Sequence, residues 1–211
     1  MKRVINLDNW NRKEHFKFFS ALDDPFWGIT TTVDFTSIYQ QSKNMEVSFF
    51  LYSVHFLLKC INATTAFKLR IENGEVVEYD KINISPTIGR ADGTFGFGFF
   101  EYDTDLSLFI ENAEKEIHRV KNSTGLSFSK DTARADVIRY SALPWFAFSE
   151  MKHAGSIQTG DSIPKISTGK LIQEKKKLLL PISISVHHGL VDGRNVAEFI
   201  QNVKDGQNNT L

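Results

Sequence analysis

The stretch from Pro181 to Ile200 constrains the fold of this chain most, because a strand pattern runs there directly into a helix pattern. In PISISVHHGLVDGRNVAEFI, isoleucine and valine alternate with serine and histidine, which predicts a strand with one apolar and one polar face. Gly189 and Gly193 allow a tight turn, and apolar residues then recur at helical spacing up to Val203. The stretch therefore predicts a last strand that turns sharply into a helix.

Two adjacent histidines close this strand, and His188 continues its apolar parity. A side chain at the end of a core-facing stripe is partly desolvated, which favours a neutral imidazole that can accept a proton near pH 7. That is typical of a general base. A core histidine with Asp192 as a simple helix cap fits the local pattern equally well. A metal site is disfavoured, because His187 and His188 on a regular strand point to opposite faces.

Length and composition narrow the class of protein. A chain of 211 residues can bury a substantial core, and we expect one domain over residues 1–211. Its 25 basic and 25 acidic side chains cancel, so nothing favours nucleic acid or an anionic membrane as a partner. The single cysteine, Cys60, lies in an apolar run and is typical of a small buried residue. Because the chain shows neither a signal peptide nor a membrane span, we expect a cytoplasmic protein.

Helices are predicted from capping signals and from periodicity. Asn11 and Glu14 form a capping box for a helix that runs to about Leu22. The run from Ser48 to Ile61 is apolar nearly all round, which predicts a buried helix at the centre of the packing. Further helices are predicted at Ser37 to Lys43, Asp105 to Val120 and Arg194 to Val203.

Strands are predicted from alternation and from β-branched or aromatic content. Asn73-Gly74 is a strong hairpin signal between strands at Phe67 to Ile71 and Val76 to Tyr79. The other predicted strands are Val4 to Leu7, Trp27 to Phe35, Ile82 to Ile88, Thr94 to Tyr102, Val137 to Ser141, Ile163 to Thr168, Leu171 to Ile172 and Leu178 to His188, with polar loops at 123–136 and 155–162. The pattern predicts an α+β fold: a single-domain mixed β-sheet covered by helices on one face.

The strand predicted at Thr94 to Tyr102 has an unusual composition. Its phenylalanines, including Phe95 and Phe97, share one face, and Gly96 and Gly98 leave the other face bare. Glycines inside a strand often mark close approach by a ligand or by another backbone. Ordinary aromatic packing against a neighbour is the alternative, and the sequence does not decide between them.

Four segments stand out across nearly the whole chain: NWNRKEHF at Asn9 to Phe16, SALPW at Ser141 to Trp145, LLLP at Leu178 to Pro181 and HHGLVDG at His187 to Gly193. In this order and at about this spacing, they together resemble the chloramphenicol acetyltransferase family. His-His-x-x-x-Asp-Gly alone is less specific, since the dihydrolipoyl acyltransferases share it.

The resemblance implies the two-layer sandwich of the CoA-dependent acyltransferases and a homotrimer with active sites between subunits. It also implies acetyl-CoA as co-substrate, no metal, and acetyl transfer to a hydroxyl of chloramphenicol, a reaction associated with antibiotic resistance. Carried over by position, His188 is the general base and Ser141 donates a hydrogen bond to the oxyanion. Asp192 pairs with Arg12 in a salt bridge that holds the histidine loop.

The resemblance also assigns the substrate channel. Phe18, Phe19, Phe95, Phe97 and Ser167 correspond to the acceptor site, and Thr168 and Lys170 correspond to the CoA side. Two positions depart from the family: Phe19 replaces a tyrosine, and Arg139 replaces a small polar residue two positions before Ser141. These changes leave room for another hydroxylated acceptor. Two rival functions are a non-catalytic ligand-binding homologue and the acyltransferase core of a lipoyl-dependent complex, which would need a lipoyl domain upstream.

Overall fold

The computed structural model describes residues 1–155 and 160–208 of the chain, so part of the loop predicted at 155–162 lies outside the described residues. Five α-helices are present in the described residues: α1 (Lys13–Ser20), α2 (Thr36–Asn44), α3 (Phe49–Asn62), α4 (Leu106–Lys121) and α5 (Gly193–Asn208). The strands are β1 (Lys2–Val4), β2 (Phe26–Asp34), β3 (Leu69–Glu72), β4 (Glu75–Tyr79), β5 (Asn83–Gly89), β6 (Phe95–Phe97), β7 (Val137–Ala142), β8 (Lys165–Thr168), β9 (Ile172–Glu174) and β10 (Lys177–His187).

The strands form two sheets. The large sheet has the order β2-β10-β8-β7-β5-β6, with β9 paired to β10, and the small sheet has the order β1-β4-β3. Strand β7 runs parallel to β5 and β8, while the other pairs are antiparallel. The predicted α+β fold with a mixed sheet is therefore confirmed.

The helices cover one face of the large sheet, as the sequence predicted. Helix α3 contacts α2, α4 and α5, and its Val54 and Leu58 are fully buried. On β10, Ile182, Ile184 and Val186 belong to the same apolar core. The predicted central position of α3 is confirmed.

The opposite face of the large sheet is polar. Strand pairing places Ser141 beside Ser167 and Ser167 beside Ser183, and in the next row Arg139 beside Lys165 and Lys165 beside Ser185. We call this surface the polar face, and His187 continues it at the end of β10 because it lies two residues beyond Ser185. The polar face carries most of the residues to which the resemblance assigns a role on the sheet.

Some element boundaries differ from the sequence-based expectations. The predicted capping box is wrong, because Arg12 is the N-cap of α1 and makes no side-chain cap bond. The strand predicted at Thr94 to Tyr102 is regular only over β6 and continues as an isolated bridge between Phe100 and Ile84. The Asn73-Gly74 turn is confirmed, with φ angles of 51° and 82°.

The glycine at position 96 is explained by close packing within the chain. A Cβ there would lie 2.9 Å from the side chains of both Val120 and Ser127. Helix α4 and the loop after it thus approach β6 closely. The sequence left open close approach by a ligand or another backbone, and ordinary packing against a neighbour. At Gly96 the neighbours are side chains of the same chain, which supports ordinary packing.

Candidate active site

His188 follows directly after β10 and is fixed at its backbone and at its ring. Its N–H donates to the carbonyl oxygen of Pro25 at 2.8 Å, which ties it to the start of β2. Phe19 stacks on the imidazole with ring centroids 3.8 Å apart and an interplanar angle of 10°. The Trp27 ring also contacts the imidazole, with ring centroids 5.4 Å apart and an interplanar angle of 39°. The indole N–H of Trp27 donates to the carbonyl oxygen of Val191 at 3.0 Å. Two aromatic rings therefore define the plane of this imidazole.

The Nδ1 atom of His188 is buried and has no hydrogen-bond partner among the described residues. Among the described residues, the ring is therefore held by packing and not by a hydrogen bond at Nδ1. The side chain as a whole is only partly buried. The ring is thus a constrained imidazole at the edge of the core, as its position in the sequence predicted.

Arg12 and Asp192 form an ion pair that closes the turn after His188. Arg12 also donates through Nη2 to the carbonyl oxygen of His188 at 3.3 Å. Asp192 additionally caps α5, since its Oδ1 accepts from the backbone N–H groups of Arg194 at 3.0 Å and Asn195 at 3.2 Å. The carboxylate thus serves both as a helix cap and as the partner of Arg12.

The electrostatic surroundings of Asp192 favour its charged form. Burial raises the pKa of this carboxyl, but the hydrogen bond from Arg12 and those from the backbone of Asn195 and Arg194 outweigh burial and lower the pKa below its usual value. Asp192 is therefore ionised near pH 7, and the ion pair persists there.

His187 points to the polar face and is not equivalent to its neighbour. It is buried, and its Nδ1 accepts a hydrogen bond from the N–H of Gly189 at 3.2 Å. Burial lowers the pKa of His187 to about 4, so the ring is neutral at pH 7. Within the described residues, no group of three or more His, Cys, Asp and Glu side chains is placed to hold a metal ion.

Ser141 lies on β7, in the middle of the polar face. Its Oγ accepts a hydrogen bond from the hydroxyl of Thr87 at 3.1 Å. Ser167 lies beside it on β8, with its Oγ 3.0 Å from Nε2 of His153. The hydroxyl groups at these positions form a row that follows the sheet.

The structure does not bring Ser141 and His188 together within one chain. Ser141 is level with Ser183 of β10, two strands away, and His188 lies five residues further along. At the usual spacings this is roughly 16 Å along the strand and about 10 Å across the sheet. A hydrogen bond or a shared substrate atom requires about 3 Å, so one chain does not hold both residues in one site.

The aromatic residues assigned to the acceptor site also fall into two groups. Phe18 and Phe19 lie on α1 beside His188, and Phe18 is 64% exposed. Phe95 and Phe97 lie on β6, at the other edge of the large sheet. Phe97 stacks there on Phe128, with ring centroids 5.5 Å apart and an interplanar angle of 24°. Phe128 is 71% exposed. Phe128 was not predicted from the sequence, because it lies in a polar loop without any periodic signal.

The two residues assigned to the CoA side differ in their surroundings. Thr168 faces the helix side of the sheet, where its hydroxyl is hydrogen-bonded to the hydroxyl of the buried Tyr140. Lys170 is exposed just after β8, and its backbone N–H donates to the carbonyl oxygen of Phe146 at 2.6 Å. The contact of both residues with CoA stays a prediction.

A pocket of about 790 Å³ opens on the polar face beside His187. Gly28, Ser185 and Lys165 line it from the strands, and Met151 and His153 line it from the segment that crosses this face. Lys165 is a second residue that the sequence analysis missed, because an isolated lysine in a predicted strand carries no signal of burial. The volume lies within the range of about 300–1,000 Å³ that is usual for small-molecule sites.

The fold is that of the CoA-dependent acyltransferases. The structure of a probable dihydrolipoamide acetyltransferase from Listeria monocytogenes superimposes on this chain with a TM-score of 0.69 and covers 99% of this chain and 94% of that one. The two sequences are 13% identical, so this likeness concerns the fold alone. A solved chloramphenicol acetyltransferase superimposes more fully, with a TM-score of 0.89, 29% identity and coverage of 98% and 99%.

Sequence comparison gives the family. The family model for chloramphenicol acetyltransferase matches residues 2–204, and the chain therefore belongs to the chloramphenicol acetyltransferase family. Chloramphenicol acetyltransferase 3 of Escherichia coli is 27% identical over 208 residues, which are 98% of this chain and 97% of that protein. The chloramphenicol acetyltransferase of Clostridioides difficile is 28% identical over 205 residues, or 95% and 93% of the two chains.

Family membership makes the chain an O-acetyltransferase, and the family uses acetyl-CoA as donor and a small molecule as acceptor. A match to this family argues against the acyltransferase core of a lipoyl-dependent complex. In the parts of the chain that the structure describes, no helix is long and apolar enough to cross a membrane.

Proposed function

We propose that this enzyme transfers the acetyl group of acetyl-CoA to a hydroxyl of chloramphenicol or a similar hydroxylated small molecule. The single observation that carries the proposal is the fixed imidazole of His188, held between Phe19 and Trp27 beside the Arg12–Asp192 ion pair. A base that is held in one orientation needs little reorganisation to reach the acceptor hydroxyl.

The reaction proceeds in a ternary complex of enzyme, acetyl-CoA and acceptor. His188 removes the proton of the acceptor hydroxyl while the oxygen attacks the thioester carbonyl. Ser141 donates a hydrogen bond to the oxyanion of the tetrahedral intermediate, which collapses and expels CoA thiolate. The thiolate takes the proton back from His188, so the products are the acetyl ester and CoA, and no acyl-enzyme forms.

The active enzyme is a homotrimer whose sites lie between subunits. The separation of His188 from Ser141 supports this, because a second copy of the chain can place its Ser141 opposite the first copy's His188. The two aromatic groups support it too, since Phe18 and Phe19 accompany His188 whereas Phe95 and Phe97 lie at the far edge of the sheet. One interface then joins both halves of an acceptor site.

The direct test incubates the purified protein with acetyl-CoA, with and without chloramphenicol. We expect thiol release that depends on the drug, and a product heavier than chloramphenicol by one acetyl group in the mass spectrum. A folded trimer that releases no thiol above background would exclude chloramphenicol as the acceptor.

A further inference from the structure

Lys165 places a buried positive charge at the pocket on the polar face. The residue is 6% exposed and lines the pocket. Its Nζ lies 3.4 Å from Oδ2 of Asp161 and 4.3 Å from the centre of the Phe26 ring. Among the described residues its ammonium group has these two partners and forms no hydrogen bond. A buried ammonium group normally donates to several acceptors, so this one has unused donor capacity.

The carboxylate of Asp161 is shared with a second cation. Nη1 of Arg139 donates to the same Oδ2 atom at 2.7 Å, and the side chain of Asp161 is itself 7% exposed. Lys165 and Arg139 therefore share one carboxylate, and the three side chains together carry one net positive charge. The side chain of Arg139 is 51% exposed, so water screens part of this excess.

The other titratable groups at the pocket do not supply the missing negative charge. Burial lowers the pKa of both His187 and His153, so both rings are neutral near pH 7. After burial, the positive charge of Lys165 is the second cause that lowers the pKa of His153. The remaining charged lining residues are exposed and screened by solvent: Asp24, Glu150 and Lys152.

The position of the two cations relates them to the proposed acceptor site. Lys165 on β8 is paired with Ser185 on the neighbouring strand β10, and Ser185 comes three residues before His188. Arg139 lies on the same face of β7 as Ser141 and two residues before it, about 7 Å away along the strand. Its guanidinium is half exposed, and Asp161 is its one side-chain partner among the described residues.

We propose that the acceptor alcohol carries an anionic group, a carboxylate or a phosphate, which binds in this pocket against Lys165 with Arg139 beside it. This proposal rests on the proposed function and narrows its substrate class from any small alcohol to an anionic one. Chloramphenicol, which is neutral, then occupies the site without using the charge.

The test compares two alcohols of nearly equal shape, 4-(hydroxymethyl)benzoate and 4-(hydroxymethyl)benzamide, by titration calorimetry on the trimer. A charge-assisted hydrogen bond contributes about 1.5–3 kcal/mol, so we expect the benzoate to bind about ten- to hundredfold more tightly. Lys165→Met should bring the ratio close to one. Equal binding of both alcohols by the unaltered enzyme, or no measurable binding of either, would overturn the proposal.

Two further variants separate an effect of charge from an effect on folding. Lys68→Met is the matched control, because Lys68 is also a largely buried lysine in an ion pair, with Glu78 at 3.7 Å, but it lies by the small sheet. It should keep the preference for benzoate. Asp161→Asn removes the competing carboxylate and should increase the preference, whereas a purely structural ion pair predicts no increase. The Asp161 result stands even if Lys165→Met does not fold.

The phosphates of CoA are the other anions available to this pocket. A rise in the KM for acetyl-CoA in Lys165→Met, with the benzoate preference intact, would assign the cation to CoA and contradict the proposal. Because affinity for the two alcohols is measured without turnover, its outcome is independent of thiol release with chloramphenicol. Failure of the substrate proposal is thus distinguishable from failure of the proposed function.

Discussion

The imidazole of His188 owes its orientation to aromatic packing. Phe19 covers one part of the ring in parallel stacking, and Trp27 is itself anchored to the carbonyl oxygen of Val191 in the following turn. Arg12 holds the same turn from its other side through Asp192 and the carbonyl oxygen of His188. A displacement of the ring must therefore disturb α1, β2 or the turn before α5.

The division of labour between His188 and Ser141 predicts unequal losses on substitution. General-base action contributes about 10²–10⁴-fold and one oxyanion donor about 10²–10³-fold, so His188→Ala should reduce kcat more than Ser141→Ala. Thiol release from acetyl-CoA measures both. His118→Ala, which alters an exposed histidine on α4, is the control and should leave kcat unchanged. Equal or reversed losses would contradict these roles.

At the scale of residues, the strand patterns placed His188 and Ser141 near strand ends, but their roles came from the family resemblance and stay predictions. The parity of β10 alone left His188 open between a general base and a core histidine. Lys165 and Phe128 were not predictable in this way, because burial of a lysine or stacking of a loop phenylalanine depends on contacts between distant elements. The two ion pairs that Asp161 forms with Arg139 and Lys165 come together only when β7 and β8 are aligned in register.

At the scale of elements, β10 joins the core to the site. Its apolar residues pack under the helices, and its alternate residues, among them His187, form the polar face. Such a strand is predictable because its side chains alternate between the two faces, so one alternating sequence pattern specifies both faces. The extent of β6 was not predictable, because beyond Phe97 the backbone N–H of Phe99 donates to the carboxylate of Glu116 on α4, at 3.0 Å, and not to a neighbouring strand.

Burial of His187 on this strand predicts acid sensitivity. The pKa of His187 is lowered to about 4 in the folded chain, against about 6.5 when unfolded, so the unfolded chain binds more protons between these values. Stability is fully present above pH 6.5 and declines as the pH falls towards 4. From pH 7 to pH 5, His187 should lower the free energy of unfolding by about 2 kcal/mol.

Urea unfolding at pH 7 and pH 5, at one protein concentration, measures this decline. His187→Gln should show a smaller difference between the two pH values than the unaltered protein, because glutamine does not titrate. His153, whose pKa burial also lowers, retains its share of the decline in that variant. An unchanged difference would exclude His187 as a source of the acid sensitivity.

Close packing of α4 against β6 predicts a cost for a single added methyl group. In Gly96→Ala the new Cβ would lie 2.9 Å from Val120 and Ser127, and overpacking of this kind typically costs about 1–3 kcal/mol. Thermal unfolding should detect the loss. Gly89→Ala is the matched control in the paired strand β5, because nothing lies within 4 Å of its Cβ position, and it should be nearly neutral. Similar effects of both substitutions would contradict the packing explanation.

At the scale of the whole molecule, the large sheet separates the residues that the proposed reaction brings together. His188 with Phe18 and Phe19 lies near the β2 side, whereas Ser141 is in the middle and Phe95 with Phe97 is at the β6 edge. A rotation that relates copies of the chain can place the β7 region of one against the β10 end of the next. Sequence patterns of a single chain carry no direct record of such a contact, so the trimer rested on resemblance alone.

The proposed location of the sites between subunits predicts that two impaired variants restore activity to each other. In a trimer assembled from His188→Ala and Ser141→Ala chains, every mixed trimer contains one interface at which an intact His188 meets an intact Ser141. Random assembly of equal amounts makes three quarters of the trimers mixed, so about a quarter of the unaltered activity should return. Co-refolding of the two variants, followed by thiol release, measures this recovery. Simple mixing of preformed trimers, assayed at once, is the control and should show only the residual activity of the two variants. If the co-refolded sample stays as inactive as its components, His188 and Ser141 act within one chain or not together at all.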